Sequence, residues 1–96
     1  MNVGILKIKL RLPDNLSLKG KRQVVKALIS RLKNKFNVSV AEVEDNDLWQ
    51  LATIGVSFVS NDKRFTNEVL SKAAEFVVNG QGDYEMLDYK IEIIAV

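Results

Sequence analysis

Basic residues at helical spacing are the side chains in this sequence best suited to bind a charged ligand. Lys19, Lys26 and Lys33 recur every seven residues, which places them on one flank of a helix. Arg22 falls beside that flank, and Lys21 lies near the margin of the buried side in the first turn. Because neighbouring cations repel one another, a phosphate backbone would stabilise the arrangement. The spacing predicts a phosphate-binding surface built from these five residues; the alternative is a solvated helix face near acidic loops.

The charge of the chain is strongly uneven along its length. Residues 1–40 carry ten lysine or arginine residues against one aspartate, whereas residues 41–96 carry four basic and eleven acidic residues. The two parts have balances of +9 and −7, which sum to the net charge of +2. This asymmetry predicts a polyanionic partner for the basic part. Two alternatives are that the basic helix packs near acidic loops of the same domain, so that the charges largely cancel, and that one copy of the chain docks on another, head to tail or across a two-fold axis.

The residue types that most enzymes use are missing. The sequence contains neither histidine nor cysteine, which excludes His-based triads, thiol nucleophiles, disulfides and the common zinc sites. It also lacks a glycine-rich phosphate loop and a Gly-x-Ser-x-Gly motif. We therefore expect a protein that is not an enzyme and that needs no cofactor.

Metal ions and membranes are also unpromising partners. Glu42, Glu44, Asp45 and Asp47 could hold a divalent cation, but a regular ion loop requires tighter spacing and a turn glycine. No apolar run approaches the length of about 20 residues that a membrane helix needs, and lysines interrupt the first hydrophobic segment. We expect no metal, no membrane association and a cytoplasmic location.

Hydrophobic periodicity predicts the six elements that must position these residues. Alternating apolar residues predict strands at Val3–Leu12, Val38–Glu44, Leu51–Ser60 and over residues 89–95. Apolar residues spaced by three, four and seven predict one helix from a Ser17 cap to Asn37, and another from Ser60-Asn61-Asp62 to Gly80-Gln81-Gly82. This order predicts a single α+β domain over residues 1–96, a ferredoxin-like βαββαβ sandwich with both helices on one face of a four-stranded antiparallel sheet.

A bulge is expected between Val40 and Val43, where the apolar parity changes. The first strand would show Lys7, Lys9 and Arg11 on the sheet face away from the helices, where they could extend the basic track.

The aromatic residues give a mixed signal. No aromatic side chain is expected on the central strands of the open sheet face, so base stacking in the manner of an RNA-recognition motif is not predicted. Trp49, the only tryptophan, follows an acidic loop. It is a stacking platform, an interface anchor or a hairpin-end residue that packs over the sheet edge.

Several stretches together resemble a known family. They are Ser17-Leu18-Lys19-x-Lys21-Arg22, Arg31-Leu32-x-x-x-Phe36-Asn37-Val38-Ser39-Val40-Ala41-Glu42-Val43, Asp47-x-Trp49-Gln50 and Val59-Ser60-Asn61-Asp62. The combination is similar to the YlxP-like family, a bacterial domain of unknown function. The resemblance implies a ferredoxin-like fold, and the usual neighbourhood of the family's genes implies an association with RNA or the ribosome. One departure is Gly20, where relatives often carry an acidic residue that would complete a capping box with Ser17.

These observations lead to two functional hypotheses. The first is a small cytoplasmic RNA-binding accessory protein that acts on ribosomal RNA or a ribosomal particle and contacts phosphates through its basic first helix. The alternative is a protein-interaction or self-assembly module, such as a homodimer, without enzymatic activity.

Overall fold

The computed structural model describes residues 1–80 and 82–96 as four strands and two helices in the order βαββαβ. The elements are β1 (Asn2–Arg11), α1 (Leu18–Lys35), β2 (Ser39–Glu44), β3 (Leu51–Ser60), α2 (Lys63–Asn79) and β4 (Glu85–Ala95). The strands form one sheet in the order β2-β3-β1-β4, and every neighbouring pair is antiparallel. The predicted ferredoxin-like α+β sandwich is confirmed.

The hydrophobic core lies between the helices and one face of the sheet. In β1 the fully buried residues Leu6, Ile8 and Leu10 alternate with exposed basic residues. They belong to one cluster that also contains Leu28 of α1 and Leu70 of α2. Since alternate strand residues share a face, both helices cover the same side of the sheet. The other side is called the outer face below. Within the described residues, neither helix is long and apolar enough to cross a membrane.

Two irregularities shape the sheet edges. The register between β2 and β3 shifts between Glu42 and Glu44, so the predicted bulge is confirmed, with Val43 as the extra residue. A second shift places Leu87 as an extra residue in β4 opposite the step from Lys9 to Leu10. This bulge reverses the side-chain alternation of β4. The strand starts at Glu85. The sequence predicted it only over residues 89–95, because regular alternation begins after the bulge.

Both helices start at polar caps. Ser17 caps α1 as predicted, because its hydroxyl accepts a hydrogen bond from the backbone N–H of Gly20 at 3.0 Å. In α2 the cap is Asp62, whose carboxylate accepts from two backbone N–H groups of the first turn. Helix α1 ends at Lys35, slightly before the predicted Asn37.

Helix α2 ends next to the glycine-containing stop that the sequence predicted. The helix ends at Asn79 with Gly80 as its C-cap. Of the predicted stop Gly80-Gln81-Gly82, Gln81 lies outside the described residues.

Gly20 has a packing role at the start of α1. A β-carbon at this position would overlap the side-chain oxygen of Asn15 and lie 3.2 Å from the Ser17 hydroxyl. The Asn15 amide donates to the carbonyl oxygens of Ser17 at 2.6 Å and Trp49 at 2.5 Å. The glycine therefore leaves room for an asparagine that joins the loop before α1 to the loop before β3.

Gly20→Ala is expected to lower the free energy of unfolding by about 1 kcal/mol, although alanine normally favours a helix over glycine by a similar amount. The reason is that the new methyl group displaces Asn15 from its two carbonyl partners. Urea unfolding measures the change. In an Asn15→Ala background, where the obstructing oxygen is absent, the same substitution should stabilise the protein. The same sign in both backgrounds would contradict the role assigned to Asn15.

Candidate functional site

The basic ridge consists of Lys19, Arg22, Lys26 and Lys33, all exposed on α1. At 100° per residue these positions fall within an arc of about 60°, and at 1.5 Å per residue they extend over about 21 Å. The ion pairs found across residues 1–80 and 82–96 involve other basic residues and leave these four without an acidic partner. The prediction of a continuous cationic flank on this helix therefore agrees with the geometry.

Lys21 was wrongly included in the predicted phosphate-binding set. Its side chain is completely buried, and its ammonium group donates to the carbonyl oxygens of Asp45 at 2.7 Å, Asn46 at 3.2 Å and Leu51 at 3.2 Å. The same nitrogen lies 2.9 Å from a carboxylate oxygen of Glu42. A ligand at the surface cannot reach this amine, so Lys21 organises the β2–β3 loop instead.

The buried lysine leaves one acceptor incompletely satisfied. An ammonium group has three N–H donors, whereas Lys21 is surrounded by three carbonyl oxygens and the Glu42 carboxylate. The Glu42 oxygen nearest to it is buried and has an ionic contact but no hydrogen bond. Removing the lysine would therefore leave a carboxylate without any compensating charge.

The acidic loop between β2 and β3 is held by internal contacts. Asp45 adopts a left-handed backbone conformation with φ of 63°, and its carboxylate accepts a 2.6 Å hydrogen bond from the Thr53 hydroxyl. Thr53 is fully buried on the outer face. Within the described part of the chain, no three acidic side chains come together as a metal site would require. The carboxylates of Glu42, Glu44 and Asp45 are instead engaged with lysines of the same domain.

The three basic residues of β1 do not continue the ridge. They lie on the outer face, on the opposite side of the sheet from α1, because they alternate with the buried core residues. Each also has an acidic neighbour: Lys7 with Glu44 at 2.5 Å, Lys9 with Asp45 at 3.9 Å and Arg11 with Glu85 at 3.3 Å. The predicted extension is therefore wrong in its geometry.

Trp49 lies at the end of the molecule where the ridge begins. Its side chain is half exposed, and so is that of its neighbour Leu48. The loop that carries it is joined to the start of α1 through Asn15, which bonds the Trp49 carbonyl, and through Gln50, whose amide donates to the Asn15 carbonyl at 3.1 Å. The role of Trp49 as an interface residue stays a prediction.

Arg31, on the flank of α1 opposite the basic ridge, lies near Tyr84. Burial raises the pKa of the Tyr84 hydroxyl, and the Arg31 guanidinium nearby opposes this rise. The hydroxyl donates a 2.9 Å hydrogen bond to the carbonyl of Val77 near the end of α2. Arg31 therefore lies beside the end of α2, separate from the ridge, and no sequence pattern predicts this contact.

Comparison with known proteins gives a family but no activity. A family model described as "Protein of unknown function (DUF503)" matches residues 3–91. The uncharacterized protein YlxP of Bacillus subtilis (strain 168) is 35% identical over 75 residues, which cover 78% of this chain and 82% of that protein. This agrees with the resemblance found in the sequence.

Two solved structures are similar at low sequence identity. The de novo designed protein Ferredog-Diesel has a TM-score of 0.45 and 10% identity, with 94% of this chain and 83% of that chain covered. A REP-associated tyrosine transposase bound to a REP hairpin has a TM-score of 0.47 and 12% identity, with 99% of this chain and 57% of that chain covered. The fold assignment rests on the strand order and register described above.

Proposed function

The chain belongs to the DUF503 family of proteins of unknown function, and from that premise we propose that it binds the phosphate backbone of structured RNA through the basic ridge. The supporting observation is the contrast between two groups of cations. Lys7, Lys9, Arg11 and Lys21 each have an acidic neighbour, whereas the ridge has none within the described residues. Phosphates of a bound strand would supply the missing counter-charges and release condensed ions.

The dimensions of the ridge suit a nucleic acid. Double-stranded DNA carries one phosphate per about 3.4 Å of axis on each strand, and the spacing in an RNA helix is of the same order, so a ridge of about 21 Å faces several phosphates. Phosphate contacts position a protein without reading bases, so binding should depend little on sequence. Trp49, exposed at the same end of the molecule as Lys19, contributes an apolar contact at the edge of this interface.

The proposed RNA is ribosomal RNA, free or in a ribosomal particle, as the YlxP-like resemblance suggests. This assignment implies a cytoplasmic accessory protein whose role is binding, with no reaction step assigned to any side chain. The other helix offers a weaker surface for the same ligand. Two of its three basic residues, Lys63 and Arg64, lie together in its first turn, and the third, Lys72, lies 3.7 Å from Glu68 of the same helix.

Binding to structured ribosomal RNA should weaken steeply as salt increases, with a slope of log affinity against log salt of about −3 for four phosphate contacts. Fluorescence anisotropy of the labelled RNA across a salt series measures this slope. Lys26→Glu/Lys33→Glu should lower the affinity at least about tenfold at low salt and reduce the slope by about half, because two of the four contacts become repulsive.

The matched control is Lys63→Glu/Arg64→Glu, which changes the net charge equally at two exposed positions in the first turn of α2. This variant should bind nearly as tightly as the wild type, and circular dichroism should show that both variants are folded. Equal losses of affinity in the two variants would mean that net charge, and not the position of the ridge, determines binding. No binding, or binding that is independent of salt, would refute the proposal.

A further inference from the structure

Strand β4 forms one edge of the sheet, and within the described residues no strand pairs with its free edge. It is last in the strand order and extends over 11 residues without proline or glycine, whereas the opposite edge strand β2 has only six residues. Such an edge presents backbone N–H and C=O groups ready to pair with another strand, and proteins usually shorten or block it. In the described part of the chain, nothing covers this edge.

The side chains beside this edge are apolar and exposed. Leu87, Tyr89 and Ile94 of β4 are each about half exposed, and so is Val78 near the end of α2. Val78, Leu87 and Tyr89 line a groove that runs between the end of α2 and the strand, together with Met86. A strand added to the edge would cover part of this apolar surface.

The charged residues of β4 form a self-complementary pattern. Lys90 pairs in register with Lys7, and Glu92 with Ile5, so both charged side chains lie on the outer face. Tyr89 pairs with Ile8 and therefore lies on the helix side. A lysine and a glutamate two residues apart on one face match an antiparallel copy of themselves, because each lysine then meets a glutamate.

We propose that two copies of this chain pair through β4, antiparallel, around a two-fold axis at Ile91. Lys90 of each copy then lies directly opposite Glu92 of the other on the outer face. On the helix side, Tyr89 of each copy lies opposite Ile93 of the other. The pairing joins two four-stranded sheets into one of eight strands, and both sets of helices cover the same side.

The bulge fixes the choice of axis. A two-fold axis at Tyr89 would also oppose lysine to an acid, but its pairing would include the bulged residue Leu87 well inside the contact. The axis at Ile91 uses residues 88–94, which lie on the regular side of the bulge. Regular pairing keeps the ladder of hydrogen bonds continuous.

The dimer leaves the basic ridge free. Helix α2 packs on β1, β4 and β3, whereas α1 packs beside β2 at the other edge of the sheet. The two α1 helices of the pair therefore lie at its far ends. This inference goes beyond RNA binding and does not rest on it, because the interface uses none of the ridge residues.

Light scattering across a range of concentrations tests the pairing. The wild type should reach twice the monomer mass of 10.8 kDa. Lys90→Glu and Glu92→Lys each place like charges opposite one another twice and should weaken the dimer at least about tenfold. The double variant Lys90→Glu/Glu92→Lys restores opposite charges and should return the dimer constant to within about threefold of the wild type.

The fold of the variants is a separate readout. Lys90→Glu removes a like-charge pair with Lys7 inside each copy, so urea unfolding should show no loss of monomer stability. A wild type that stays monomeric at all concentrations overturns the proposal. A dimer that both single variants leave unchanged, or that the double variant does not recover, also overturns it.

Engineered cysteines test the register directly, because the chain has no cysteine of its own. Cα atoms directly opposite in antiparallel strands lie about 4.5–5.5 Å apart, within disulfide range. Mixing Lys90→Cys with Glu92→Cys under mild oxidation should give a mixed disulfide dimer, and neither variant alone should cross-link efficiently. Efficient self-linking of either variant, or absence of the mixed product, overturns the axis at Ile91.

Discussion

Lys21→Met is expected to lower the free energy of unfolding by about 3–5 kcal/mol, a large part of the stability of a domain this size. Methionine has a similar length and fills the space of the side chain. It cannot donate to the carbonyl oxygens of Asp45, Asn46 and Leu51, and it leaves the Glu42 carboxylate without its cation. Urea unfolding followed by circular dichroism measures the loss.

Two further variants show which contact matters. Lys19→Met removes an exposed lysine from the same helix turn and should change stability by no more than about 0.5 kcal/mol. Adding Glu42→Gln to Lys21→Met removes the isolated charge and should recover part of the loss, while the loop carbonyls stay unsatisfied. If Lys21→Met cost as little as Lys19→Met, the assigned role of the buried lysine would be wrong.

Gly4→Ala should destabilise the protein by about 1–3 kcal/mol, the usual cost of overpacking a core. A methyl group at Gly4 would overlap Cγ2 of Thr66 and lie 2.6 Å from Cδ1 of Leu70. Neither neighbour can move easily, since both are fully buried. The hydroxyl of Thr66 is also held by the Ser60 hydroxyl at 2.6 Å and the Asp62 carbonyl at 3.0 Å. Thermal and urea unfolding would show the loss.

A double-mutant cycle isolates this contact. Thr66→Ser removes the obstructing methyl group and keeps the hydroxyl with its two partners. The cost of Gly4→Ala should therefore be smaller in the Thr66→Ser background, by about 1 kcal/mol. An identical cost in both backgrounds would mean that α2 shifts away from β1 as a whole instead of colliding through Thr66.

Local patterns predicted the elements of this fold well. The alternation in β1, the Ser17 cap and the parity change near Val43 each depend on neighbours in the sequence, and each is confirmed. The start of β4 was missed for the same reason. The bulge at Leu87 depends on the partner strand β1, and it breaks the alternation by which a strand is recognised.

The site was harder to predict because its charges pair over long distances in the sequence. A helical wheel correctly put Lys21 at the core margin, but it could not show that the amine reaches carbonyl oxygens 24–30 residues away. The pairing of Lys7 with Glu44 likewise depends on the strand order of the sheet. The ridge could be predicted, since it requires only the helical repeat of α1.

The strand order also determines when the sheet can be completed as the chain is synthesised. Strand β1 is made before the other strands, yet it occupies an inner place between β3 and β4. Its partners Ser60 and Ala95 face Asn2 across long stretches of intervening chain. The core-facing leucines of β1 must therefore wait for distant segments to emerge from the ribosome before they are enclosed. Completion of the sheet is coupled to translation of β4, and until then a nascent chain exposes an apolar inner strand that chaperones can bind.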